Sequence, residues 1–110
     1  MVFVTLDDFL SKAKKLPRLS REEEKALGLR KAAGDAAAKE ALIQGFLPFV
    51  AGKVEQAPKQ VQTMNTLFQC LDELEKAVEA FDFLQEGEPF IHCLSRRMRH
   101  CITRCLADRL

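Results

Sequence analysis

The side chains best suited to bind a charged partner lie on one side of a helix predicted near the C-terminus. Five arginines follow Pro89, against a single acid, Asp108. Arginine presents its N–H donors in a planar fork that fits the oxygens of a phosphate or a carboxylate. The polar residues that share this side are Arg96, Arg97, Arg99, His100, Thr103 and Arg104. They suit phosphates or an acidic protein surface, and an ordinary solvated helix face is the alternative.

The cysteines and histidines are the next candidates for chemistry. A helical pattern makes all four cysteine positions apolar, and their spacing is not that of a disulfide scaffold: Cys70, Cys93, Cys101 and Cys105. We interpret them as reduced core residues and expect no cofactor. A metal site is the alternative, because His92 and His100 each adjoin a cysteine. The paired Cys-x-x-Cys of zinc knuckles is missing, so no metal is predicted.

No catalytic set is visible in the sequence. Both histidines fall in the last predicted helix, the serines are explained by capping or surface positions, and no glycine-rich phosphate loop occurs. We therefore predict neither an enzyme nor a small-molecule substrate.

The arginines belong to a chain whose charges are separated along the sequence. Residues 64–88 hold seven acids and one base, Lys76, so an acidic helix precedes the basic one. The net charge of the 110 residues is only +1. Any binding to nucleic acid must therefore depend on a local patch and not on the overall charge.

Apolar residues at three- and four-residue steps predict the helix that positions the arginines. Its stripe contains Phe90, Ile91, Leu94, Met98, Cys101, Ile102, Cys105 and Leu106. The preceding helix is predicted from about Asn65 to Phe81, with Phe68 and Phe81 in its own stripe. Residues 83–89 form the turn between them.

Helix-start signals predict the other elements. Thr5 caps a first short helix, Ser20 and Glu23 form a capping box for the second, and Asp35 follows the stop at Gly34 to cap a third. The third helix is predicted to about residue 55, with a kink or break near residues 45–48, and residues 56–63 form a loop. The expected fold is a single all-α domain over residues 1–110, a compact bundle of four to five helices.

The chain lacks the signals of export and of membrane insertion. Its longest apolar run is far too short to span a bilayer, and its first residues do not resemble a secretory signal. We expect a soluble, cytoplasmic protein with no membrane partner.

Five short motifs follow one another along the chain: Leu19-Ser20-Arg21-Glu22-Glu23-Glu24, Ala33-Gly34-Asp35, Leu42-Ile43-Gln44-Gly45-Phe46-Leu47-Pro48-Phe49-Val50, Ala77-Val78-Glu79-Ala80-Phe81-Asp82 and Met98-Arg99-His100-Cys101-Ile102-Thr103-Arg104-Cys105-Leu106-Ala107-Asp108. In order and spacing, they resemble the core domain of bacterial RNA polymerase sigma factors of the sigma-70 family, known as region 2. The resemblance covers about residues 19–109 and does not include a helix-turn-helix domain for the −35 element.

The resemblance implies a helical bundle that binds core RNA polymerase and promoter DNA. The helix before Ala77 would dock on the clamp helices of the polymerase β′ subunit, and the last helix would contact the −10 element. On this basis the nucleic-acid-binding residues are the six polar residues of the last helix named above. The protein-partner residues are Gln69, Asp72, Glu73, Lys76 and Glu79. Plain solubility of this acidic side, with Glu73 and Lys76 as a local ion pair, is the alternative.

The sequence departs from the family at two places. Residues 65–71 replace the Asp-Leu-Ile-Gln-Glu-Gly-Asn of the core-binding helix, and the chain contains no Tyr or Trp to capture flipped bases. The main hypothesis is a sigma-like transcription-initiation module. The second is a non-catalytic regulator with a sigma-like fold, a decoy or a partner of an anti-sigma factor, that has lost promoter melting. An enzyme or metalloprotein is the third possibility.

Overall fold

The computed structural model describes residues 5–108, which form six α-helices and no β-strand. They are α1 (Leu6–Lys14), α2 (Arg21–Ala32), α3 (Ala36–Gly45), α4 (Leu47–Gln56), α5 (Met64–Ala80) and α6 (Phe90–Asp108), with a 3-10 turn at Lys59–Val61. The predicted all-α class is confirmed. Within the described range no helix has the length and hydropathy needed to cross a membrane. Arg109, one of the five arginines of the basic segment, lies outside the described residues.

The predicted helix starts are confirmed by their hydrogen bonds. The side chains of Thr5 and Asp35 accept hydrogen bonds from backbone N–H groups in the first turns of α1 and α3. Ser20 and Glu23 form the capping box of α2, each side chain accepting from the other residue's backbone N–H. Gly34 follows α2 with a φ of 92°, a left-handed conformation that glycine adopts without steric cost.

The third predicted helix is broken, as Gly45 and Pro48 indicated. Its halves, α3 and α4, meet at Phe46, whose φ is −101° and ψ is 0°. Pro48 lies in the first turn of α4, where a missing N–H removes no helical hydrogen bond. A Cβ atom on Gly45 would lie 2.4 Å from the side chain of Leu19, so the glycine lets the α1–α2 linker approach. The break lets α3 pack on α2 and α4 pack on α1.

The core lies between α5, α6 and the helices on either side of the break. Four phenyl rings meet at one end of it, where the ring centroid of Phe90 lies 4.7 Å from that of Phe46, 5.1 Å from that of Phe81 and 4.9 Å from that of Phe83. The remaining fully buried side chains are mostly aliphatic, among them Leu42, Val50, Val54, Val61, Leu67, Leu74, Val78, Leu94 and Met98. This core fixes α6 against α5 and α4, and with it the direction in which the arginines project.

Helix α1 lies at the edge of the bundle. Its contacts are mainly with α4, and it contributes Leu10 and Ala13 to the core. The Lys14 ammonium lies 2.7 Å from the Glu55 carboxylate of α4. Leu6 and Phe9, which are half-buried, also pack against the core.

Two phenylalanines differ from the sequence-based prediction. Helix α5 ends at Ala80, and Phe81 is half-buried as its C-terminal cap and not part of a buried helical stripe. Phe68 is 58% exposed. The reason is its direction, because Phe68 lies about 100° around the helix from the fully buried Leu67 and points away from the core.

Candidate nucleic-acid interface and partner face

Helix α6 divides into a buried stripe and an exposed side, as its periodicity predicted. The buried members are Phe90, Leu94, Met98, Cys101 and Cys105. The six predicted nucleic-acid-binding residues lie outside this stripe, all of them exposed except the half-buried Arg97. Their contacts, however, separate them into two groups.

Arg96 and Arg97 are engaged with carboxylates. The Arg96 guanidinium forms a two-pronged ion pair with Glu88, and the second contact is 3.0 Å long. This pairing holds the pKa of the Glu88 carboxyl below its usual range. The Arg97 guanidinium lies 3.2 Å from the Glu73 carboxylate, which is only 20% exposed. Both arginines therefore tie α6 to the acidic segment before it.

The other four predicted residues are free of such partners. Arg99, His100, Thr103 and Arg104 are exposed, and within residues 5–108 no carboxylate lies at ion-pair distance from either arginine. Arg104 makes one weak contact, from its guanidinium to the Cys101 Sγ atom at 3.9 Å. An incoming anion could meet these side chains without first displacing a carboxylate.

The predicted protein-partner residues lie on α5, and each of them has a partner within the fold. Lys76 lies 3.0 Å from Asp72, and this hydrogen bond raises the pKa of the Lys76 ammonium. Glu79 lies 3.6 Å from Lys39 of α3, and the Gln69 amide oxygen accepts a hydrogen bond from the Cys105 thiol. Asp72 and Lys76 stay accessible, each with 61% of its side chain exposed.

The ion pair between Glu73 and Lys76, which belonged to the solubility alternative, does not form. Lys76 reaches back one full turn to Asp72, while Glu73 faces α6 and pairs with Arg97. Glu73 pairs with Arg97 and not with Lys76, because its side chain is turned towards α6 and away from solvent. Glu73 is therefore poorly available to an outside protein.

Cys70, Cys101 and Cys105 are buried where α5 meets α6, as the prediction of core cysteines requires, whereas Cys93 is half-buried and does not belong to the core. All four are free thiols. The Cys70 and Cys101 Sγ atoms are 4.0 Å apart, and burial raises the pKa of both thiols. A buried thiol with a raised pKa is protonated at neutral pH and is a poor metal ligand or nucleophile. Within residues 5–108 no three His, Cys, Asp or Glu side chains are grouped as a metal site requires.

Sequence reasoning missed several cationic and aromatic residues that line surface depressions, of which only Lys53 shares a depression with Arg99. Arg18, Arg21, Phe49 and Lys53 come from the α1–α2 linker, the start of α2 and from α4. One sequence signal was available, because Phe49 and Lys53 are four residues apart and so lie on the same side of α4. The Lys53 ammonium does lie 5.3 Å from the centroid of the Phe49 ring.

Few aromatic rings keep accessible surface near the cations. Phe90, at the start of α6, is 1% exposed within the phenyl cluster. Phe49 is half-buried and Phe68 is exposed, so both keep accessible ring surface. Of these two, only Phe49 lies in a groove with unpaired cations.

Comparisons with protein-family models, with curated proteins and with solved structures give no match to this chain. The features left to indicate a function are the unpaired cations of α6 and of the adjoining groove, and the paired charges of α5.

Proposed function

We propose that this chain is a sigma-like transcription-initiation module that binds promoter DNA of the −10 type through α6 and core RNA polymerase through α5. The observation that carries the proposal is the free cationic side of α6, where Arg99 and Arg104 project beside His100 and Thr103. When cations of this kind neutralise phosphates, the counterions that were condensed on the nucleic acid are released into solution. This release favours binding. The ordered series of sigma-like motifs supplies the class of DNA and the polymerase partner.

The exposed side of α5 supports the polymerase half of the proposal. Phe68 is 58% exposed one turn before Asp72, and Asp72 and Lys76 are accessible beyond it. Accessible aromatic rings next to charged residues are typical of protein interfaces, where the ring supplies apolar contact and the charges form the rim. The β′ clamp helices are the partner that the sigma-like resemblance implies for this helix.

The test is co-elution with core RNA polymerase on gel filtration, with and without a single strand of the −10 type. Two double variants separate the surfaces. Phe68→Ser with Asp72→Ala should reduce co-elution with polymerase and leave binding to the strand unchanged. Arg99→Ala with Arg104→Ala should weaken binding to the strand and leave co-elution with polymerase unchanged.

All four side chains in these variants are exposed, so both proteins should keep the wild-type circular dichroism spectrum. Failure of the wild-type protein to co-elute in either condition would overturn the polymerase half of the proposal.

A regulator that binds protein alone is the second candidate, and the pairing of Arg96 and Arg97 with carboxylates favours it. Those two arginines would have to exchange an existing partner for each phosphate. The two functions differ in their response to salt, because binding to phosphates weakens steeply as salt rises and a mainly apolar protein interface does not. Binding that stays constant across a salt titration would select the regulator.

A further inference from the structure

Two contacts cross between α5 and α6 at neighbouring turns. The first is the ion pair of Glu73 and Arg97. One turn away from it, the Cys70 and Cys101 Sγ atoms lie 4.0 Å apart. Glu73 follows Cys70 by three residues and Arg97 precedes Cys101 by four, so both pairs lie along one seam between antiparallel helices. The packing of α5 on α6 therefore holds two thiols at contact distance.

The core encloses both of these thiols. Cys70 is 0% exposed and Cys101 is 1% exposed. Burial raises the pKa of each thiol, so little thiolate is present while the seam is closed. A reagent in solution reaches the pair when the two helices separate locally, and its reaction with them is slow. Once one sulfur atom has reacted, however, the other is already beside it.

Cys101 is the thiol better placed to react first. Two donors converge on its Sγ atom, the Cys70 S–H group and, 3.9 Å away, the Arg104 guanidinium. Burial raises the pKa of Cys101, while the hydrogen bond from Cys70 and the charge of Arg104 act in the opposite direction. Arg104 is exposed, so Cys101 is separated from solvent on this side by a single side chain.

We infer that Cys70 and Cys101 are a modification site, the two halves of a disulfide that forms when the protein meets a peroxide and that locks α5 to α6. A disulfide holds its sulfur atoms about 2 Å apart, so the two side chains close the remaining distance. The inference goes beyond the proposed function and does not depend on it.

The chemistry takes two steps. The Cys101 thiolate attacks one oxygen of hydrogen peroxide, the O–O bond breaks, and the hydroxide released takes up the thiol proton, which leaves a sulfenic acid and water. The Cys70 sulfur then attacks the Cys101 sulfur, the S–O bond breaks, and hydroxide leaves with the Cys70 proton as a second water. Two thiols are oxidised, and one peroxide is reduced to two waters.

The experiment maps the disulfides of the native protein after exposure to hydrogen peroxide. Free thiols are alkylated, and the chain is cut with trypsin and analysed by mass spectrometry. Because trypsin cleaves after Lys and Arg, the four cysteines fall on separate peptides: residues 60–76, 77–96, 100–104 and 105–109. Peptide 60–76 should be found linked to peptide 100–104 and released by dithiothreitol. In urea, where the seam is lost, a mixture of pairs should appear.

The bond should also stabilise the protein. It joins positions 31 residues apart, so it restricts the unfolded chain, and the equilibrium constant of unfolding in urea should fall about a hundredfold until dithiothreitol restores it. Cys70→Ala should show neither the linked peptide nor this change. Dimedone, which traps sulfenic acids, should instead label peptide 100–104 of this variant. Cys93→Ala alters the half-buried cysteine outside the core and should behave as the wild-type protein does.

The peptide map of the wild-type protein decides the matter even if Cys70→Ala proves unfolded by circular dichroism. Absence of the linked peptide, whether the thiols stay free, Cys101 becomes a sulfinic acid or another pair forms, would overturn the inference. A mixture of pairs in the native protein like that in urea would overturn it as well, because the fold would then not select Cys70 and Cys101. Dimedone on peptide 105–109 and not on 100–104 would overturn the assignment of the first step to Cys101.

Discussion

Phe90 joins three segments of the chain through one ring. It is 1% exposed and contacts Phe46 at the break between α3 and α4 and Phe81 and Phe83 in the loop after α5. Edge-to-face contacts between such rings add to the apolar area that they bury. The same burial removes Phe90 from any contact with a base.

Replacement of Phe90 should therefore affect stability more than replacement of its neighbour Phe81. Phe90→Ala should lower the free energy of unfolding by about 3–5 kcal/mol, the usual range for a fully buried phenylalanine. Phe81→Ala should lower it by less, because the Phe81 ring is half-buried and already in contact with solvent. Urea denaturation at neutral pH measures both values. The reverse order would mean that the loop after α5, and not the start of α6, holds the phenyl cluster together.

At the scale of the elements, two helical glycines have opposite surroundings. A Cβ atom on Gly28 of α2 would lie 2.3 Å from the Phe83 Cβ atom, so the missing side chain lets α2 approach the loop after α5. A Cβ atom on Gly52 of α4 would meet nothing within 4 Å. The first glycine is required by packing, and the second only weakens its helix.

This difference predicts opposite effects for the same substitution. Gly52→Ala should stabilise the protein by about 0.5–1 kcal/mol, because alanine loses less backbone entropy in a helix than glycine does. Gly28→Ala should destabilise it despite the same gain in helix propensity, since α2 or Phe83 must shift. The difference in thermal midpoint between the two variants is the measurement. Equal effects would show that α2 does not pack closely on Phe83.

The elements were predictable from sequence where their signals are local. The caps at Thr5, Ser20 and Asp35 depend on residues within one turn, and the break at residues 45–48 depends on the chemistry of glycine and proline. The exposure of Phe68 was not predicted, because apolar residues at its edge of the stripe fit a buried helix equally well. Its direction is decided by which side of α5 the other helices cover.

At the scale of the whole molecule, the separation of charge along the chain becomes a contact between neighbours. The acidic α5 and the basic α6 pack side by side, and Arg97 pairs with Glu73 across them. Arg96 likewise pairs with Glu88 of the intervening loop. Two arginines that the sequence predicted to bind an outside partner, Arg96 and Arg97, therefore form ion pairs within the fold. This outcome depends on the register of α5 against α6, which a sequence does not reveal.

The dependence on helix packing also explains why some residues of the candidate site were not predicted from the sequence. Arg99, His100, Thr103 and Arg104 were found because they share one helix and one periodicity. Lys53 belongs to a separate helix, and only the packing of α4 near α6 brings it to the same depression as Arg99. A site assembled from distant segments leaves no spacing to recognise.

Three surface carboxyls should make folding sensitive to acid. The pKa of Glu23 is lowered by hydrogen bonding to Ser20, that of Asp35 by the Arg30 guanidinium, and that of Glu88 by Arg96. A carboxyl whose pKa is lower in the folded state stabilises the fold above its unfolded pKa, and the effect is lost as pH falls through the lowered value. The urea midpoint should therefore fall as pH drops below the usual carboxyl values of 4.5 for Glu and 3.8 for Asp.

Variants of two glutamates check the sign of this effect. The Glu88→Gln variant should have a slightly lower urea midpoint than the wild-type protein at neutral pH. Its urea midpoint should then fall less than that of the wild-type protein as the pH is lowered. Glu24 works in the opposite sense, because burial raises its pKa and its stabilising contribution is lost as pH rises through the raised value. Glu24→Gln should therefore gain stability at neutral pH. A wild-type midpoint that rises in acid would mean that Glu24 outweighs the three other carboxyls.

The position of α1 at the edge of the bundle has a consequence for hydrogen exchange. A helix held mainly through α4, with Leu10 and Ala13 as its buried side chains, can detach while the rest of the core stays closed. Backbone amides of α1 should then exchange their hydrogens with deuterated solvent faster than those of α5 and α6. Their exchange rate should also depend little on urea, since detaching one short helix exposes little surface. The native protein would thus be an equilibrium between a six-helix form and a minor five-helix form with an uncovered side of α4.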